Sequence, residues 1–163
     1  MYKKIVVPLD GSELAECVFP HLKAVANGCG TMELVLVRVV EPSTQPVGSL
    51  TDLSGVFTSE DAEALRKRND TFHEAEAKAY LEQAKQKVSQ NLDVIPTTEL
   101  LRGKPAEVLA DYVAKHGADL VMISTHGRSG ISRWALGSTA EKLARSVCVP
   151  VMMIRAPGCV PGI

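Results

Sequence analysis

Ile5-Val6-Val7-Pro8-Leu9 is a short apolar run, rich in β-branched residues, that ends abruptly at Asp10-Gly11-Ser12. Apolar residues at consecutive rather than alternate positions indicate a strand that is buried on both faces, as in a parallel sheet covered by helices. The chain contains four more short runs of this type, of which the run at residues 94–101 is weaker. These runs are residues 33–40, 94–101, 119–123 and 150–154. The sequence therefore predicts five buried strands.

Helix-length segments separate the first three runs. Ser12 can cap a first helix that would end at Gly28-Cys29-Gly30 and carry apolar residues at Leu14, Val18 and Leu22. Thr58 can cap a second and longer helix, with Asp61 at the capping-box position. The apolar positions of this second helix keep helical spacing, and we expect them to be buried: Ala77, Leu81, Ala84 and Val88.

Two more helices are predicted in the second half of the chain. Pro105 suits the first turn of a helix that would end near His116-Gly117, and another helix is expected over about residues 138–147. Regular alternation of strands and helices favours parallel strands joined by right-handed crossovers. The expected fold class is therefore α/β, with a single open five-stranded parallel sheet and helices on both faces.

The length of 163 residues fits one domain. We predict a domain over residues 1–156 and a short tail over 157–163, to which no function is assigned. The segment Glu41–Phe57 departs from the alternation because it is rich in Pro, Gly, Ser and Thr. It is interpreted as a loop insert at residues 42–57. A binding lid and a tolerated surface insertion both remain possible for it.

The composition excludes several classes of protein. Lys and Arg number 18 and Asp and Glu 19, so the net charge of −1 gives no electrostatic reason to expect nucleic acid or an anionic membrane as a partner. No apolar run approaches the roughly 18 residues that a membrane span needs. The four cysteines form no C-x-x-C pair and are expected to be buried free thiols. A cytoplasmic location follows as the expectation.

Three common motifs of α/β enzymes are missing from the sequence. Gly103-Lys104-Pro105 lacks the upstream glycine and the downstream hydroxyl of a Walker A loop. No G-x-G-x-x-G follows the first strand, which argues against a dinucleotide-binding Rossmann domain. No G-x-S-x-G nucleophile elbow occurs, so an α/β-hydrolase is not supported.

The end of the fourth predicted strand is the most informative part of the sequence. Ligands of open parallel sheets bind beyond the carboxyl ends of the strands. Here that position reads Ser124-Thr125-His126-Gly127-Arg128-Ser129-Gly130, and Gly137-Ser138 then opens the last helix. Glycines let backbone N–H groups approach a ligand closely, and the free N–H groups of a helix start attract phosphate. The segment is therefore a candidate cradle for a polyphosphate.

Simpler structural roles are possible for the same residues. Ser138 and Glu141 have the spacing of a capping box, so Ser138 could serve only its own helix. His126 could be a solvent-exposed turn residue, and Asp10 could cap the first helix or hold the turn that precedes it. Arg128 could face either solvent or phosphate.

The pattern Ser124-x2-Gly127-x9-Gly137-Ser138 resembles the G-x2-G-x9-G-[S/T] motif of nucleotide-binding universal stress proteins (UspA-like), with serine in place of the first glycine. Three further blocks match that family in order: residues 5–12, Gly103-x-Pro105-Ala106 and residues 148–155. The resemblance thus covers nearly the whole chain. It implies a Rossmann-like, adenine nucleotide alpha hydrolase-like sheet with the strand order 3-2-1-4-5.

The resemblance also implies a set of site residues. Asp10 would face the ribose, Pro8 and Gly11 would shape that wall, and Val39 and Ile123 would lie near the adenine. Residues at the fourth strand and the last helix would surround the ribose and the phosphates: Ser124, His126, Gly127, Arg128, Gly130, Gly137, Ser138 and Thr139. No catalytic residue and no metal-ligating side chain is assigned.

By the same resemblance, the ligand would be ATP, alone or with Mg²⁺, and the protein would be a homodimer built through its last strand. An apolar edge strand at residues 149–154 agrees with that, because such edges are usually covered. The leading hypothesis is a cytoplasmic, nucleotide-sensing stress-response module with an unidentified signalling partner. A slow ATPase or autophosphorylating protein, and a nucleotide-free dimeric interaction protein, are the alternatives.

Overall fold

The computed structural model of the protein describes residues 1–42, 59–90, 92–125 and 137–155. Its strands form one five-stranded sheet in the order β3-β2-β1-β4-β5, and every neighbouring pair is parallel. The strands are β1 (Lys4–Pro8), β2 (Glu33–Val40), β3 (Thr97–Arg102), β4 (Leu120–Ser124) and β5 (Val151–Ile154). The predicted fold class and strand order are confirmed.

Helices cover both faces of the sheet. They are α1 (Phe19–Cys29), α2 (Ser59–Ser89), α3 (Pro105–Lys115) and α4 (Ser138–Ser146). Side chains of α1 and α2 pack with Ile5, Val7 and Leu36 on one face, and those of α3 and α4 pack with Val6 and Val37 on the other. Consecutive residues of β1 thus enter two different cores, which explains its unbroken apolar sequence.

The strand boundaries follow local chemistry. β3 begins at Thr97 rather than at the predicted residue 94, because Pro96 has no N–H to donate to a neighbouring strand. β4 begins one residue after Asp119, whose carboxylate accepts hydrogen bonds from the backbone N–H groups of Lys3 and Lys4 at 2.8 and 3.2 Å. Asp119 therefore ties the start of β4 to the start of β1.

The first predicted helix is divided in two. Ala15–Val18 form a 3₁₀ turn, α1 follows from Phe19, and Leu14 is exposed, so an unbroken helix from Ser12 with Leu14 on its buried side is wrong. The cause is Pro20, which lacks the N–H that would continue an α-helical ladder and so falls in the first turn of α1. The predicted stop is confirmed, since Gly30 ends α1 in the left-handed conformation at φ +61°.

The other helices agree with expectation within a residue or two. The predicted apolar stripe of α2 (Ala77, Leu81, Ala84 and Val88) is buried, whereas the predicted cap Thr58 lies outside the described residues. α3 begins at Pro105 as predicted. In the described ranges, no helix combines the length and the apolar character needed to cross a membrane.

The structure tests the predicted burial of three of the four cysteines. Cys17 and Cys29 are half-buried, but Cys148 is exposed in the turn between α4 and β5, so the predicted burial is wrong there. Cys159, nearly all of the loop insert (residues 43–57 of 42–57) and the tail lie outside the described residues.

Candidate functional site

A cavity of about 310 Å³ opens at the carboxyl ends of β1, β2 and β4, where the sheet meets the start of α4. Eight of the predicted site residues line it: Pro8, Asp10, Val39, Ile123, Ser124, Gly137, Ser138 and Thr139. Gly11 belongs to the turn beside the cavity and is not part of its lining. The predicted residues His126, Gly127, Arg128 and Gly130 lie outside the described residues.

The two ends of the cavity differ in polarity. The cavity is apolar over β2 and α3, where Val37, Val39 and Leu109 form the wall, and Ile123 of β4 adjoins them. Its side over β4 is polar, with Ser124 and Thr125 next to the first turn of α4. Pockets for small ligands commonly combine an apolar wall with a few convergent polar groups, and their volumes begin at roughly 300 Å³.

Backbone amides dominate the polar end. The first hydrogen bond within α4 runs from the Glu141 N–H to the Gly137 carbonyl at 3.0 Å. The N–H groups of Ser138, Thr139 and Ala140 come before it and have no partner within the helix. All three residues line the cavity. The positive end of the α4 dipole therefore faces the cavity and favours an anion there.

Gly137 is needed for this arrangement. Its N–H donates a 2.7 Å hydrogen bond to the Thr125 carbonyl, which joins the end of β4 to the start of α4. A Cβ at Gly137 would lie only 2.7 Å from that carbonyl oxygen. Because this neighbour is backbone and cannot rotate away, any side chain at residue 137 would force β4 and α4 apart.

The structure excludes one of the simpler roles that the sequence left open for Ser138. Gly137, not Ser138, is the N-cap of α4, so Ser138 is the first residue of the helix. The side chain of Glu141 pairs with Arg145 at 2.8 Å instead of folding back toward the cap. The capping-box interpretation is therefore wrong, and Ser138 lies in the cavity wall.

Asp10 holds the turn that follows β1. Its Oδ1 accepts hydrogen bonds from the Ser12 backbone N–H at 3.0 Å and from the Ser12 hydroxyl at 2.6 Å. The Ser12 hydroxyl in turn accepts from the N–H of Ala15 at 3.2 Å, which starts the 3₁₀ turn. Gly11 has φ +84°, a conformation that favours glycine. Asp10 thus has a structural role in the turn while lining the cavity.

Ser124 stands where the family motif has its first glycine. It is the last residue of β4, pairs with Ile154 of β5 and is almost fully buried. No described residue other than glycine has a positive φ. Ser124 therefore has ordinary extended backbone, and serine can occupy the position without backbone strain.

Sequence reasoning missed several residues of the site. Glu41 lines the cavity just after β2, and Thr125 lines it just after β4. Thr125 belongs to the segment predicted as a phosphate cradle but was not assigned as a site residue, and the position of each residue after a strand is the signal that could have identified it. Arg38 was also missed, although a charged residue inside the apolar run of β2 is a visible signal. The Arg38 side chain is buried behind the Asp10 turn, and its guanidinium carbon lies 5.4 Å from the centre of the Tyr80 ring.

Metal-binding side chains do not cluster in the described part of the chain, where no group of three His, Cys, Asp or Glu residues has the arrangement of a metal site. The carboxylates of the cavity are Asp10 and Glu41, which follow different strands. The arrangement suits a ligand with an apolar ring at one end and a negative charge at the other.

A model of the universal stress protein family matches residues 1–155. This chain belongs to the universal stress protein family. A universal stress protein of Methanocaldococcus jannaschii is 29% identical to it over 161 residues, which cover 96% of this chain and 84% of that relative. The solved structure of universal stress protein UspA from Lactobacillus plantarum has the same fold, with a TM-score of 0.77 at 24% identity over 94% of this chain and 98% of that one.

Some solved proteins with this fold hold a nucleotide. A universal stress protein in complex with cAMP matches with a TM-score of 0.66 at 18% identity and covers 95% of this universal stress protein and 98% of its own chain. A family member from Arabidopsis thaliana was solved with AMP, and one from Archaeoglobus fulgidus with dAMP, at TM-scores of 0.60 and 0.58. At 16% and 21% identity these likenesses establish the shared fold.

Proposed function

We propose that this universal stress protein binds an adenine nucleotide, with ATP as its ligand, in the cavity at the carboxyl ends of β1, β2 and β4. The observation that carries the proposal is the pairing of an apolar wall with the open amides of Ser138, Thr139 and Ala140 in one cavity. A nucleotide has the matching polarity, because its base is an apolar ring system and its phosphates are anions.

The strand order favours one direction for the proposed nucleotide. Its adenine would lie against Val39 over β2, its ribose beside Asp10 at the end of β1, and its phosphates at Ser138 after β4. Neighbouring strands are spaced by roughly 4.8 Å, so this path spans roughly 10 Å. This direction also places Glu41, which follows β2, at the end of the cavity away from the phosphates, which its carboxylate would repel.

The nucleotides held by other proteins of this fold support the proposal in its general form, because cAMP, AMP and dAMP all contain adenine. For the triphosphate, the further donors would come from the residues 126–130 that the family motif assigns to the phosphates. A magnesium ion would enter with the triphosphate and keep mostly water ligands, as Mg²⁺ commonly does in nucleotide sites.

We infer a sensing role rather than rapid turnover. Fast phosphoryl transfer needs a carboxylate that holds the metal and a residue that orients the nucleophile. Asp10 already uses Oδ1 to hold its own turn, and Glu41 is exposed beyond the end of β2, on the side of the proposed adenine. The proposed role is therefore a cytoplasmic stress-response module whose nucleotide-bound form is recognised by a signalling partner.

Calorimetric titration with ATP and Mg²⁺ tests this function. We expect saturable binding with one nucleotide per chain, and competition by AMP, since the base and ribose contacts are shared. A parallel assay for phosphate release separates sensing from slow hydrolysis. No heat of binding at millimolar ATP would overturn the proposal in favour of a nucleotide-free interaction protein.

We also propose that the protein is a homodimer joined through β5. This strand is at the edge of the sheet, with β4 as its neighbour in the strand order. All four residues of β5 are apolar, and Met152 among them is 37% exposed. An exposed apolar edge favours pairing with another strand, and a second β5 would supply one.

A further inference from the structure

Arg38 is a charged residue where the fold calls for an apolar one. It lies in β2 between Val37 and Val39, and its side chain is on the opposite face of the sheet from theirs, toward α1 and α2. The residue is only 9% exposed. Removing a guanidinium from water costs free energy that an apolar residue would not, so packing alone does not account for an arginine at this position.

The guanidinium of Arg38 lies between the Asp10 turn and α2. A Cβ at Gly11 would overlap Nη1 of Arg38 and would lie 2.7 Å from its Cζ, so the backbone of Gly11 rests directly on the guanidinium. On the other side the guanidinium faces the ring of Tyr80, with 5.4 Å between Cζ and the ring centre. Arg38 therefore packs between the backbone of the Asp10 turn and the Tyr80 ring of α2.

Two carboxylates act on the Tyr80 ring that Arg38 faces. Burial raises the pKa of Tyr80 above its ordinary value, and the nearby carboxylates of Glu16 and Asp10 raise it further, whereas the Arg38 guanidinium acts in the opposite direction. Glu16 is itself held by Lys87 of α2, at 2.8 and 3.0 Å. Arg38 and the carboxylates of Asp10 and Glu16 thus act on the same phenol, and Asp10 also lines the cavity.

We propose that Arg38 is a positioning residue for the nucleotide site, which acts through Asp10 by fixing the turn of residues 10–12 and the direction of its carboxylate. This inference rests on the proposed function, because it assigns Asp10 to the ribose. Arg38 does not line the cavity, so its proposed role is to position Asp10 rather than to touch the nucleotide. Its planar guanidinium can lie flat under Gly11 and over Tyr80, which a lysine cannot do.

A double-mutant cycle tests the proposal. ATP affinity is measured by calorimetry for wild type, Arg38→Met, Asp10→Asn and the double variant. We expect Arg38→Met to weaken binding about tenfold to a hundredfold, the range of a lost hydrogen bond to a charged group. In the Asp10→Asn background the same substitution should lower ATP affinity by less than about twofold, because the effects of residues that act as one unit are not additive. Arg102→Met, which removes an exposed arginine of β3, is the matched control and should leave affinity unchanged.

An equal loss from Arg38→Met in both backgrounds would overturn the proposal, since a general structural effect does not depend on Asp10. Unchanged affinity would overturn it as well. If Arg38→Met does not fold, the cycle is made with Arg38→Lys, which keeps the buried charge. A loss of about fivefold that disappears with Asp10→Asn is then expected. Wild-type affinity, or the same loss in both backgrounds, would contradict the proposal.

Amide hydrogen exchange provides a test that needs no nucleotide. The Ser12 N–H donates to Asp10 Oδ1, so its protection reports on the turn. We expect Arg38→Met to accelerate exchange at Ser12 at least about tenfold while the amides of β4 keep wild-type rates. Unchanged protection at Ser12 would overturn the positioning role. If wild type binds no ATP and yet Ser12 responds, the proposed function fails while the support of the turn by Arg38 stands.

Discussion

Gly137 controls how closely the start of α4 approaches the end of β4. The 2.7 Å bond to the Thr125 carbonyl leaves no space for a Cβ, so even alanine must push the first turn of α4 away from its present position. The three amides at the polar end of the cavity move with that turn. A single methyl group at residue 137 therefore tests whether these amides bind the phosphates.

We predict that Gly137→Ala weakens ATP binding at least about tenfold, because one or two charge-assisted hydrogen bonds are lost. Calorimetry measures the change. Gly28→Ala is the matched control, since a Cβ at that helical position meets no atom within 4 Å, and it should bind ATP like wild type. Equal affinities for Gly137→Ala and wild type would contradict a phosphate site at α4.

Tyr80 should make stability depend on pH at the alkaline end. Burial raises its pKa above the value of the unfolded chain, so the folded form keeps the phenol proton after the unfolded form has lost it. The free energy of unfolding should therefore fall as pH rises above about 10, by at most about 1.4 kcal/mol per pH unit from this group. Urea unfolding of wild type and Tyr80→Phe between pH 9 and about 11 measures it. A fall of the same size in both would contradict the assignment to Tyr80.

At the scale of elements, prediction succeeded where local signals were strong. The stripe from Ala77 to Val88 marks the buried side of α2, and Pro105 marks the start of α3. It failed where two signals competed, as at the start of α1, where the cap Ser12 and the breaker Pro20 lie in one segment and the proline prevails. β3 likewise begins at Thr97 rather than at the predicted residue 94, because Pro96 interrupts the apolar run.

The same helix offers a matched pair of substitutions. Leu81 of α2 is 2% exposed against the sheet, whereas Leu65 in the first half of α2 is 48% exposed. We predict that Leu81→Ala lowers the free energy of unfolding by about 2–5 kcal/mol, through lost burial and a cavity. Leu65→Ala should change it by less than about 0.5 kcal/mol. Urea unfolding measures both, and similar effects at the two positions would mean that α2 does not pack as described.

At the scale of the whole molecule, the position of the site could be predicted better than its parts. Parallel strands place their carboxyl ends together, so the turn at Asp10 and the segment after Ser124 could be assigned to one site before any coordinates. The contact of Arg38 with the Asp10 turn could not be predicted, because it depends on how that turn and α2 approach β2 from other parts of the chain. The spacing of residues in the sequence does not indicate which distant segments of the chain contact each other.

The proposed dimer makes a prediction at this scale as well. A lysine on the exposed edge strand should block pairing of two β5 strands by charge repulsion and desolvation. We expect Met152→Lys to shift the mass measured by light scattering from dimer to monomer. Met32→Lys, at a residue that is 72% exposed and precedes β2, is the control and should remain dimeric. A monomeric wild type, or a dimeric Met152→Lys variant, would contradict pairing through β5.

We propose above all that the open amides at the start of α4 bind the phosphates of an adenine nucleotide. Nitrogen–proton correlation spectra of the labelled protein, recorded during titration with ATP and Mg²⁺, test it most directly. We expect the amide signals of Ser138, Thr139 and Ala140 to shift most among the residues of α4, and adenosine without phosphate to leave them in place. Unmoved signals from these three residues at saturating ATP would contradict it.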